Sequence, residues 1–173
     1  ANSKGMLSFV PLLLKLKEEQ GLAYQAAIDT DYTSERTQGD PNRYLYAGTV
    51  GKLMPSFYVV GKETHVGDPF AGLDPNEIAA GILHKINLNL DLCDQVDTEV
   101  TVTPISLRLQ DLKKEYSVQT SKSTSLYFNY ATHNSTPKDV INKLEPLALA
   151  GFQDVVEKLN HSYRNFTEKM NLP

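Results

Sequence analysis

From residue 44 onward the spacing of apolar residues changes period twice, and that alternation restricts the folds open to the chain. YLYAGT (44–49) and KLMPSFYVVGKE (52–63) carry the aromatic and β-branched content of pleated strands, with Pro55 marking an edge position or the beginning of the regular ladder. Asp74, Pro75 and Glu77 then stand at the N-cap, N1 and N3 places of a capping box, and Ile78, Ile82, Leu83 and Ile86 recur at helical spacing. Two more strand runs, 99–112 and 115–133, lead to a long helix opened by Thr136-Pro137-Lys138-Asp139. Along it Ala148, Phe152, Val155, Leu159, Tyr163, Phe166 and Met170 repeat every three or four positions, and Pro146 is expected to bend it. Strand, helix, strand, strand, helix is an α+β order. It is the order expected of a ferredoxin-like split βαβ, which needs one more strand after the last helix.

The first 47 residues read differently. A helix capped at Asn2 or Ser3 runs to about Gln20, with Met6, Leu7, Val10, Leu13, Leu14 and Leu16 as its apolar face, Pro11 within it and Gly21 at its end. AYQAAIDTDY then predicts a short strand from Ala23 to about Thr30, ending in the carboxylates of Asp29 and Asp31. Helix followed by strand is one repeat of an α/β sheet, and the polar, turn-rich stretch 33–43 is an exposed connection and domain boundary. Two domains are therefore expected, 1–47 and 48–173. The chain begins Ala1-Asn2-Ser3-Lys4 without an initiator Met, and this, with the missing last strand, gives the expectation of a piece of a longer protein.

Composition excludes several function classes. A net charge of -4 and a pI near 5.5 argue against a nucleic-acid groove or binding to an anionic membrane. The most apolar run, MLSFVPLLLKL, is too short to cross a bilayer and is broken by Pro11. A lone Cys93 excludes an internal disulfide framework and suits a reducing compartment, so a cytoplasmic location is expected.

Two residues stand out as candidates for chemistry. His65 lies in GKETHVGDPFAGLDPN, on a connection between strand and helix, with Gly61 and Gly67 permitting unusual backbone angles and Pro69 and Pro75 fixing φ. An imidazole held this way can donate to a carbonyl oxygen or exchange a proton near neutral pH; equally, it can simply bond to its own loop. Asp31 would end a strand, where ligands and metals gather in α/β sheets, although carboxylates there also serve as turn residues. No further His/Asp/Glu cluster at metal-ligand spacing accompanies it, and His84, His133 and His161 read as structural or solvated.

The stretch GTVGKLMPSFYVVGKETHVGDPFAGLDPN resembles the start of the lid, or dimerisation, domain of the zinc-dependent exopeptidase superfamily, which includes aminoacylase, carboxypeptidase G and succinyl-diaminopimelate desuccinylase. In that superfamily a segment G-K-x-x-H-x-G-x-P joins the first lid strand to the first lid helix, and Gly61, Lys62, His65, Gly67 and Pro69 fill its places. Further agreement, through NSKGMLSFVPLLL, DPNRYLYAGTVGKLMP and LKKEYSVQT, points to a branch tied to arginine utilisation. The resemblance implies a ferredoxin-like lid joined to the end of a catalytic α/β segment. It implies a metal-dependent amide-bond hydrolase acting on a small peptide or N-acyl amino acid, with zinc as cofactor, two ions in the whole enzyme. It gives Asp31 a place as metal ligand. His65 takes that of the lid histidine that reaches across a homodimer to polarise the scissile carbonyl.

The sequence also departs from that pattern. The upstream His-x-Asp, the bridging Asp, the paired glutamates and the late His are absent, so this piece alone is expected to bind no zinc and to be inert. Tyr130 stands where relatives end a lid strand in arginine, and Tyr116-Ser-Val-Gln-Thr120 occupies the region of their Asn-containing loop. The alternative reading is a noncatalytic oligomerisation or small-ligand-binding module derived from the same lid.

Overall fold

A computed structural model describes residues 3–30, 33, 35 and 37–171. The chain divides into two units, Ala1–Ala47 and Gly48–Pro173. The first begins with helix α1, Ser3–Gln20, which carries Pro11 inside it and ends at Gly21 with φ 65°, the left-handed cap that glycine takes without a Cβ penalty. Met6, Leu7, Val10 and Leu14, four of the six apolar-face residues, are exposed. The expected strand at Ala23–Thr30 does not form. That backbone has no regular secondary structure, because a strand is stable only against a ladder partner and none pairs with it among the described residues. Tyr24 instead folds back, donating its hydroxyl to the Leu13 carbonyl at 2.9 Å. YLYAGT is likewise outside any strand.

The second unit is built on an antiparallel sheet. Strands β1 (Gly51–Leu53) and β2 (Ser56–Val60) both pair with β6 (Ser123–Thr132) in one continuous register, from Gly51 opposite Thr132 to Val60 opposite Ser123. They are one edge strand interrupted at Met54-Pro55. Proline has no N–H to offer the ladder, but its carbonyl still accepts from Phe128 N at 3.1 Å, so the register survives the break. On the other side of β6 lies β5 (Ile105–Asp111), with an irregularity between Ser106 and Arg108 that makes Leu107 an extra, bulged residue. Taken in chain order, the first strand neighbours the third and the third neighbours the second, as in a split βαβ. The run predicted at 99–112 divides at Pro104. Its first part forms β4 (Glu99–Val100), which pairs with β3 (Gln95–Val96) in a small separate hairpin.

One face of this sheet is covered by helices. In β6 alternate residues Thr124, Leu126, Phe128 and Tyr130 are fully buried, the period of two expected of a central strand with one face toward the core. Helix α2 (Pro75–Ile86) lies over them with Ile78, Ala79, Ile82 and Ile86 inward, each large side chain contributing about 1.5–3 kcal/mol by leaving water. Helix α3 (Pro137–Lys169) packs along α2 and adds Val140, Leu144 and Val155 to the same core. Its start is a complete capping box, with Thr136 and Asp139 each bonding the other's backbone N–H, and Pro146 sits within it. The box expected at α2 is only half made. Asp74 caps, accepting from Asn76 N at 2.9 Å, while Glu77 turns outward to Lys158 of α3 at 2.7 Å. Among the described residues no helix is long and apolar enough to cross a membrane.

Candidate functional site

The candidate site is the arch that leaves β2. Its base is closed by Lys62 and Leu73, which exchange both backbone hydrogen bonds at 2.8 Å. Here glycine serves close approach. A Cβ on Gly61 would lie 2.2 Å from the Leu73 carbonyl oxygen, and one on Gly72 2.5 Å from that of Lys62. The unusual φ values expected at Gly61 and Gly67 are not what these positions supply, since the positive-φ glycines are Gly21, Gly39 and Gly48. What Gly67 provides is room, because a Cβ there would stand 3.1 Å from Nδ1 of His65.

The rising limb of the arch pairs with the segment 118–120. Thr64 N donates to Thr120 Oγ1 at 3.0 Å, Thr120 N to the Thr64 carbonyl at 2.8 Å, and Val66 N to the Val118 carbonyl at 3.0 Å. His65 lies between them, bridged to Gln119. Beyond it the chain turns tightly, with Asp68 N donating to the His65 carbonyl at 2.9 Å and the Thr64 hydroxyl to the Asp68 carbonyl at 2.9 Å. Pro69–Ala71 form one 3-10 turn, and the ring of Phe70 rests 5.4 Å from that of Tyr163 and 5.2 Å from that of Phe166.

The ring of His65 bonds its own loop through one nitrogen. Nδ1 accepts from Gly67 N at 3.0 Å, which leaves the proton of the neutral ring on Nε2. The side chain is exposed, and Nε2 has no partner among the described residues. A fixed backbone, an engaged Nδ1 and an outward Nε2–H make a directed hydrogen-bond donor. At Glu63, on the same limb, opens a cavity of about 140 Å³ bordered also by Lys113, Lys122, Ser117 and Ser121, of mixed charge. Tyr116, in the neighbouring segment, is 90% exposed.

Asp31, expected as a metal ligand, lies outside the described residues. No three His, Cys, Asp or Glu side chains gather into a metal site among the described residues. Tyr130 is also removed from the site. It is fully buried, donates its hydroxyl to the Leu92 carbonyl at 2.7 Å, and burial, with the nearby Asp94 charge, pushes its pKa up to about 12.

A second polar centre, for which there was no local sequence signal, lies at the far end of β6 from His65. Asp94 is 7% exposed and accepts from His133 N at 3.1 Å, from Ser135 N at 2.9 Å and from the Ser135 hydroxyl, with Lys143 Nζ at 3.2 Å. Burial alone would raise its carboxyl pKa, but the Ser135, Lys143 and His133 donors hold it well below the usual carboxylate range. The partners come from 39 to 49 residues later in the chain, which no local pattern reveals. This centre ties the end of β6 to α3.

No family model matches the chain. It is similar to Protein RocB of Bacillus subtilis (strain 168), with 39% identity over 169 residues, 98% of this chain and 30% of that protein. It is also similar to the uncharacterized protein YqjN of the same organism, with 32% identity over 167 residues, 96% of this chain and 30% of that protein. The chain thus spans about 30% of the length of the curated relatives it matches. The similarity to RocB runs through both units of this chain.

Proposed function

We propose that this chain joins the end of a catalytic segment, residues 1–47, to most of the lid of a metal-dependent amide-bond hydrolase in arginine utilisation, working in the cytoplasm on a small peptide or N-acyl amino acid. The observation that carries this reading is the state of His65: exposed, with its backbone held on both sides and its proton left on an outward Nε2. In this reading the protein is a homodimer through the lid, and Nε2–H of one protomer donates to the substrate carbonyl oxygen in the other's catalytic site. As a water gives a proton to a base outside the described residues and its oxygen bonds the carbonyl carbon, the carbonyl becomes an oxyanion and that hydrogen bond strengthens, and a donor already aimed needs no reorganisation at the moment of reaction. The zinc ions belong to the whole protein, with their ligands supplied beyond the described residues, and the role of His65 does not depend on how those ligands are arranged.

The test is made on the full-length protein. It is depleted of metal, titrated with zinc, and assayed against a panel of N-acyl amino acids and dipeptides. Turnover of at least one of them, lost with a chelator and restored by zinc, is the expected result. No turnover across the panel, with saturable binding of one of its members, would favour the noncatalytic binding module instead.

A further inference from the structure

Helix α3 has 33 residues and α2 has 12, roughly 50 Å against 18 Å at 1.5 Å per residue. The two cross at Gly81 and Gly151, and Lys158 reaches Glu77 in the first turn of α2. Past Lys158, α3 continues to Lys169, and what its aromatic side chains meet there is Phe70, five residues after His65.

We propose that Phe70, held between Tyr163 and Phe166, is the positioning residue for His65, and that the far end of α3 serves as a buttress for its arch. The role for His65 rests on the function proposed above; the mechanical coupling does not. Residues 65–69 are exposed, so the hydrogen bonds that shape the turn compete with water. Phe70 is the half-buried apolar anchor of the same stretch. Between it and His65 the chain has little freedom. Pro69 fixes one φ, Ala71 N donates to the Asp68 carbonyl at 3.2 Å, and Asp68 N donates to that of His65 at 2.9 Å. A movement of Phe70 is therefore passed to the turn in which Gly67 N meets Nδ1, and from there to the direction of Nε2.

The direct probe is the through-hydrogen-bond nitrogen–nitrogen coupling between the Gly67 amide and His65 Nδ1, measured by NMR on the isotope-labelled chain at a pH where the ring is neutral. Phe70→Ala and Phe166→Ala should each abolish it, Phe70→Tyr should retain it, and exchange protection of the core amides of Ile82 and Phe128 should not change. In the full-length protein, Phe70→Ala should lower kcat by about tenfold or more with little change in KM, the signature of a misaimed group. Coupling that persists unchanged in both alanine variants overturns the buttress. Coupling lost without an effect on turnover leaves the buttress standing and counts against the catalytic role of His65. Loss of core protection in both variants would mean that Phe70 holds the fold as a whole, and would also overturn the proposal.

Discussion

Gly81 and Gly151 meet backbone to backbone where α2 crosses α3. A Cβ on Gly81 would stand 2.6 Å from the Gly151 carbonyl oxygen, and one on Gly151 2.7 Å from the Gly81 carbonyl carbon. Neither contact can be relieved by swinging a side chain, so an added methyl must push the helices apart and loosen Ile82 and Val155 beside them. Gly151→Ala should therefore destabilise the chain by about 1–3 kcal/mol despite alanine's better helix propensity. A urea titration checks it, with a lowered midpoint expected.

Acid should act through Asp94. Its folded pKa is depressed, so the stability it contributes is fully present above the unfolded value near 3.9 and is lost as pH falls from there toward the folded value. Unfolding midpoints measured from pH 7 to pH 2 should show an acid limb beginning near pH 4. Asp94→Asn should be less stable at pH 7 by about 2–3 kcal/mol and should have a flatter acid limb. Lys143, 39% exposed on its side chain, is partly screened, so Lys143→Met should cost less.

Tyr130 separates a core role from a substrate role at the strand position where arginine was the expectation from resemblance. Tyr130→Phe leaves the Leu92 carbonyl without its donor and should cost about 1–3 kcal/mol in thermal or urea unfolding. The kcat and KM of the full-length protein should not change below the unfolding transition. A rise in KM with stability intact would place Tyr130 at the substrate instead.

What could be read from the sequence was set by local signals. Thr136 with Asp139, and Asp74 with Pro75, announced both helix starts because a cap acts within four residues. The stiff turn around His65 was equally visible, since its glycines and prolines are local. The reason for those glycines was not, because Gly61 is constrained by Leu73 and Pro75, brought over it by the loop closure. Ala23–Thr30 has strand-like composition, but composition does not supply a ladder neighbour. The same limit hid Glu77's choice of Lys158 over its own cap, 81 residues away, and the aromatic hold of α3 on Phe70.

The function proposed for the chain comes down to one hydrogen-bond donor, and its sharpest test is the steady-state rate of full-length His65→Ala on whichever amide substrate the panel yields. The ring is exposed and bonds only Gly67 N among the described residues, so its removal should leave the unfolding midpoint nearly where it was. The expected kcat is lower by about 10²–10³-fold, the loss typical of a single oxyanion donor. A kcat equal to that of the unsubstituted protein would rule that role out.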